Sequence, residues 1–226
     1  MYKSIIRPIL FKFNPETAHQ FTLNSLKVLG KIPFVRSIIR LIYKREHPAL
    51  AKEVFGIKFP NPVGLAGGLD KNGECYNELS DFGFGFVEIG SLTVKPQPGN
   101  PKPRLFRVIK DRAIINRMGI NNKGIANAIA NLNKEHPEVI IAGNIAPNSA
   151  SQGEQVAEDY KAAFSLLYDF VDMFVVNISC PNVVGLTSLQ DTSALSDFMD
   201  NILNMRTGLD AYSAEIVPGS YSYSDR

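Results

Sequence analysis

The sequence is poor in cysteine. Cys75 and Cys180 are the only two in 226 residues, far short of a disulfide framework, so nothing asks for an oxidising compartment. It also lacks an apolar run of about 18 residues or more, which argues against a membrane-spanning helix. Basic residues interrupt every apolar stretch near the N-terminus, so no signal-peptide pattern is present. No metal site is expected. A cytoplasmic location, in solution or on the membrane face, is the expectation left by these absences.

What is present is ordinary for a globular protein, with 45% hydrophobic residues, but the charge is unevenly spread. The net +2 divides into nine Lys or Arg against Glu16 and Glu46 in residues 1–50, and fifteen basic against twenty acidic residues thereafter. A basic segment on a mildly acidic body points to an anionic surface, either lipid or nucleic acid. Asn14-Pro15-Glu16 reads as a helix start, and Gly30 as its stop. A second helix is expected over 33–43, with Phe34, Val35, Ile38, Ile39, Leu41 and Ile42 among Arg36, Arg40, Lys44 and Arg45. Such short basic, apolar helices suit a lipid headgroup layer. Phe and Ile are too apolar for a phosphate-tracking face, so nucleic acid is not the expected partner. A helical cap packed on the main domain is the plainer alternative.

Four apolar runs follow, at 62–66, 86–90, 139–143 and 173–177. They lack the polar alternation of a half-exposed strand, although Glu88 interrupts the second, and this predicts a parallel sheet. Helical stretches alternate with them at 72–82, 121–135, 154–169 and 193–206, which makes the class α/β. Each strand runs into small or polar residues: Gly67-Gly68-Leu69-Asp70-Lys71, then Ser91-Leu92-Thr93, Asn144-Ile145-Ala146-Pro147-Asn148, and Asn177-Ile178-Ser179-Cys180-Pro181-Asn182. In a (β/α) barrel the carboxyl ends of the strands form the active site. One such cluster would be ordinary turn chemistry; four in succession are not.

These residues define a chemistry. Gly67 and Gly68 let the backbone approach a flat cofactor or an anion. Lys71 is suited to hold a carboxylate, or the charge that gathers on a flavin when it accepts hydride. Asn116, Asn121, Asn122, Asn144, Asn177 and Asn182 offer the donors and acceptors that read a heterocycle, though each alone is equally a capping residue. Cys180, flanked by Asn177 and Asn182, is the candidate base. Cys75 has no such surroundings and reads as structural.

At this point the motifs resemble the dihydroorotate dehydrogenases, specifically the quinone-dependent class. The matching segments are residues 61–71, 83–91, 95–107, 115–122 and 177–182 with Gly185-Leu186 following, in family order. The resemblance implies an FMN-containing (β/α)8 TIM barrel that oxidises (S)-dihydroorotate to orotate and passes electrons to a membrane quinone. It implies that Gly67, Gly68, Leu69, Asp70, Lys71, Ser91, Asn144 and Asn177 touch FMN. Substrate would be held by Lys71, by Asn116, Arg117, Met118, Gly119 and Ile120, and by Asn177 and Asn182. Cys180 stands where the family places its base. Residues 1–50 resemble the quinone-tunnel helices, lined by His19 and Arg107, which would sit peripherally on the cytoplasmic face of the membrane.

Several departures accompany the resemblance. Cys at position 180 is typical of the soluble class, which uses fumarate or NAD, whereas the quinone class usually carries Ser. Pro147 stands where a lysine is usual, and Gly67 and Ile120 stand where Ala and Phe are frequent. The pattern fades from about Met205, so residues 51–217 are expected to form only the first four to five strand–helix units, followed by an atypical tail at 218–226. About a third of the barrel, with the glycine-rich FMN phosphate loops, is therefore expected to be missing. A non-catalytic fragment is the competing expectation.

Overall fold

The computed structural model describes residues 2–132, 139–178, 200 and 202–206. After a π-helical turn at Tyr2–Ile6 come α1 (Arg7–Leu10), α2 (Pro15–Leu29) and α3 (Pro33–Tyr43). α2 starts where the sequence places it: the Asn14 side chain accepts the Glu16 amide N–H at 2.9 Å, and Pro15 supplies a preset φ. Gly30 ends the helix, but for a different reason from the one read in the sequence. Its φ is −65°, so no left-handed cap is formed. A Cβ there would lie 2.2 Å from Glu78 Cγ, so glycine is needed for close approach to the body.

Two antiparallel hairpins, neither foreseen, flank the first strand–helix units. They are β1 (Lys52–Val54) with β2 (Ile57–Phe59), and β5 (Leu105–Val108) with β6 (Ala113–Asn116). The four predicted strands are β3 (Gly64–Leu65), β4 (Phe86–Leu92), β7 (Ile140–Ile145) and β8 (Met173–Val176). They form one parallel sheet in the order β3-β4-β7-β8, each new strand added beside the last as in a (β/α) barrel. The register aligns Leu92 with Ile145 and Ile145 with Val176, which brings the carboxyl ends level.

Helices α4 (Tyr76–Ser80), α5 (Ile125–Leu132) and α6 (Glu154–Leu167) connect these strands. α4 is shorter than expected. Gly73 takes φ +63°, and the Asp70 carboxylate accepts the amide N–H groups of Glu74 and Cys75 at 2.8 and 2.7 Å, so residues 70–75 are a capped turn. The core joins Val87, Ile89 and Leu92 of β4 to Tyr76, Leu79, Ile125, Ala128, Val156, Tyr160, Phe164 and Leu167. Each fully buried aliphatic chain contributes roughly 1.5–3 kcal/mol. Side chains alternate along a strand, so Phe86 and Glu88 face away from this helix layer. Phe59 of β2 meets the Phe86 ring edge-on at 5.8 Å, which seats the first hairpin at the amino end of the sheet.

Helices α2 and α3 are tied to this body by ion pairs, and Leu23 of α2 also joins its core. Arg104, 6% exposed, pairs with Glu16 of α2 at 2.6 Å. Lys27 of α2 meets Glu74 at 2.7 Å. Arg36 and Arg40 of α3 converge on buried Asp81 at 2.6 and 2.5 Å. Among the described residues no helix is long and apolar enough to cross a membrane.

Candidate functional site

The level carboxyl ends of the four strands gather most of the polar residues singled out by sequence. Beyond β3 the chain turns back on β4: the Gly68 N–H donates to the Gly90 carbonyl at 2.8 Å, and the Gly90 N–H to the Asp70 carbonyl at 3.1 Å. Gly68 holds φ +100° with open space where a Cβ would lie, so its backbone face is accessible. Gly67 is the opposite case, since a Cβ there would stand 2.6 Å from Glu88 Oε1. Asp70 is buried inside its turn, and burial pushes its carboxyl up. Lys71 Nζ donates to the Gly68 carbonyl at 2.6 Å, and burial lowers its pKa from the ordinary lysine value. The Leu69 carbonyl accepts from His19 Nε2 at 2.7 Å, which fixes the proton on that nitrogen. Burial likewise lowers the imidazole pKa, so the ring is held neutral.

The other strand ends meet in the same place. Ser91 Oγ accepts from Asn177 Nδ2 at 2.9 Å, and the Asn177 carbonyl accepts from Tyr160 OH at 2.7 Å. Asn144, on β7, donates Nδ2 to Glu88 Oε1 at 2.5 Å, while its buried Oδ1 has no partner among the described residues. A buried acceptor left unpaired costs about 1–3 kcal/mol, a cost that a ligand donor at this atom would relieve. With the exposed backbone at Gly68 and the crowding at Gly67, the site fits a flat, hydrogen-bonding ring such as the isoalloxazine of FMN.

The segment 116–120 is divided. Met118 lines a cleft with Glu16, His19, Lys71 and Asn121, and the Asn121 Oδ1 is a second buried acceptor with no partner among the described residues. Ile120 packs against the core. Gly119 is buried, with φ +73°. Asn116 and Arg117 are exposed on the second hairpin, where Arg117 donates to the Pro103 carbonyl at 3.0 Å and lies over the Phe106 ring. Asn122 is consumed structurally: its Oδ1 accepts from the Gly124 amide at 2.8 Å, and its Nδ2 donates to Thr93 Oγ1 at 2.9 Å. Arg107 donates to the Phe13 carbonyl at 2.8 Å and stacks on Phe11, which places its charge at the carboxyl end of α1. Cys180 and Asn182 lie outside the described residues.

Sequence reasoning passed over Glu88, Tyr160 and Arg104. Glu88 does leave a signal, as the one charge in a mostly apolar strand. Arg104 left none, because its partner Glu16 is 88 residues away.

A sequence model of the family described as dihydroorotate dehydrogenase matches residues 49–208. The chain is 51% identical over 202 residues to a dihydroorotate dehydrogenase (quinone) of Christiangramia forsetii, covering 89% of this chain and 59% of the relative. It is 40% identical over 218 residues to the enzyme of the same name from Methylococcus capsulatus, covering 96% of this chain and 63% of that one. Among solved structures, the DHODH of Eimeria tenella in complex with ferulenol superposes with a TM-score of 0.72 at 34% identity, over 84% of this chain and 50% of that chain. The chain thus spans about three fifths of the length of these curated relatives.

Proposed function

The chain belongs to the dihydroorotate dehydrogenase family, and from that membership we propose that it oxidises (S)-dihydroorotate to orotate in pyrimidine synthesis, with FMN as its flavin and a membrane quinone as electron acceptor. The observation that carries this reading is the meeting of Gly67, Gly68, Lys71, Ser91, Asn144 and Asn177 at one end of a parallel sheet, with the Asn144 acceptor buried and unpaired among the described residues. Gly67 to Lys71, Ser91, Asn144 and Asn177 would hold FMN, which supplies the hydride acceptor when bound. Lys71, Asn116 to Ile120, Asn177 and Asn182 would hold the substrate's carboxylate and ring amides. Cys180, as thiolate, would take the proton from substrate C5. Its base role is independent of Cys75, whose thiol burial pushes up to about 12 and whose Sγ points at the Leu23 carbonyl.

The quinone side of the reading is supported by the N-terminal helices. His19 would line the approach to the site loop, and Arg107 would hold α1 beside it. Exposed Ile5 of the π-helical turn, Ile9 of α1, and Phe34, Leu41 and Ile42 of α3 lie near basic residues, the make-up of a peripheral contact with an anionic leaflet on the cytoplasmic side.

Flavin titration tests the proposal. The purified chain should quench the fluorescence of added FMN, and dihydroorotate without oxygen should bleach the bound flavin. A chain that takes up no FMN would overturn the reading. In Cys180→Ala the flavin should stay bound but no longer bleach; near-native bleaching would remove Cys180 from the base role alone.

A further inference from the structure

Glu88 is the one charged residue of the parallel strand β4, on the face turned away from the helix layer. Such a carboxylate costs free energy unless it is paired, and its recorded partner is an amide rather than a cation: Asn144 Nδ2, at 2.5 Å. The pairing has a directional consequence. A carboxylate has no N–H to offer, so the Asn144 amide must turn its NH2 towards Glu88 and its carbonyl oxygen the other way. That oxygen is the buried Oδ1 with no partner among the described residues. Gly67, where a Cβ would lie 2.6 Å from Glu88 Oε1 and 3.4 Å from Asn144 Nδ2, packs directly on the pair and leaves the carboxylate little freedom to swing away.

We propose that Glu88 is a positioning residue, which locks the rotation of the Asn144 amide so that the site presents an acceptor, and so selects a ring that offers an N–H donor. This rests on the FMN reading above, and it sharpens it. The oxidised isoalloxazine ring has a single ring N–H, at N3, so the acceptor discriminates a flavin with that hydrogen from one without it. Were the amide reversed, two donors would face each other, and the preference would vanish.

The probes are FMN and FMN methylated at N3, titrated against the native chain, Glu88→Gln and Glu88→Ala by flavin fluorescence. The native chain should favour FMN by about tenfold or more, the range expected when a buried polar group loses its partner. Gln is isosteric but can also donate, so it frees the amide to turn over. In Glu88→Gln the affinity for FMN should fall about fivefold to tenfold and the two flavins should bind within about a factor of two of each other. Glu88→Ala should show at least the same loss of discrimination. Asn144→Ala removes the acceptor itself, and should equalise the two flavins whichever residue stands at 88. Unchanged discrimination in a folded Glu88→Gln, judged by its circular dichroism, would overturn the role of Glu88 and leave the FMN reading intact. A native chain that binds neither flavin would overturn that reading and, with it, the ligand assigned here.

Discussion

Glu74 sits between two ammonium groups, Lys27 at 2.7 Å and Lys123 at 2.6 Å. Burial is the largest single influence and pushes its carboxyl up, but the hydrogen bonds and charges of Lys123 and Lys27 together outweigh it and hold the pKa at about 2. The unfolded chain, with an ordinary value of 4.5, takes up this proton first. Stability from the cluster is therefore complete above about pH 4.5 and lost as pH falls through about 2. Glu74→Gln should flatten that part of the melting-temperature profile; a limb as steep as the native one would refute the assignment. His19 acts one window higher. Its pKa is lowered by burial, so its contribution is present above the ordinary 6.5 and fades as pH falls through the lowered value. At this scale, residues with neighbouring partners were legible from sequence and those with distant partners were not. Asn14 capping Glu16 could be read from the chain. The Glu88–Asn144 pair, 56 residues apart, exists only once the sheet has formed.

Elements were legible where the chain punctuates itself. Pro15 and Pro33 mark the starts of α2 and α3, and apolar runs give all four sheet strands. The hairpins escaped because they bury too little to show a pattern: all three residues of β1 and all four of β6 are exposed. Their turns rest on Phe55-Gly56 and Arg112 at positive φ, and a Phe or Arg there gives no turn signal. α3 was placed correctly from end to end, yet its orientation needed the structure. Arg36 and Arg40, one turn apart, face inward to Asp81, and the apolar stripe faces out, with Phe34 73% and Leu41 79% exposed. On the membrane contact proposed above, a helix held by its basic face would turn its apolar face to lipid. Phe34→Glu with Leu41→Glu should change folding stability by no more than about 0.5 kcal/mol, because neither side chain is buried. Partition onto anionic phospholipid vesicles, measured by co-sedimentation, should drop at least about tenfold, since each apolar side chain entering the interface is worth roughly 1.5–3 kcal/mol. Equal partition of variant and native protein would sink the membrane assignment of α3.

At the scale of the whole molecule, the site loop and the helical segment are held by different means. The 67–71 loop is fastened by backbone bonds to β4 and by the Asp70 turn, all within the body. α2 is fastened through side chains, chiefly the Glu16 carboxylate accepting from Arg104 Nη2 and Nε, with Arg104 also donating to the Pro98 and Asn100 carbonyls. The Arg104 hydrogen bond, ahead of its charge, holds the Glu16 carboxyl below the usual range. Among the described residues, a direct link from α2 to the site loop is the His19 hydrogen bond to Leu69, two residues before Lys71. On the proposed function, loosening α2 should therefore disturb electron transfer from the flavin to quinone more than the flavin site itself. Glu16→Gln leaves buried Arg104 without its counter-charge and should cost about 3 kcal/mol in urea unfolding, the low end for a broken buried pair because Glu16 retains some solvent contact. In stopped flow, flavin reduction by dihydroorotate should stay within about threefold of native. Reoxidation by a short-chain quinone should slow by about tenfold or more, a barrier change of roughly 1.4 kcal/mol. Equal slowing of both half-reactions would mean that α2 supports the flavin site as a whole, and the separate role given to the helical segment would fall.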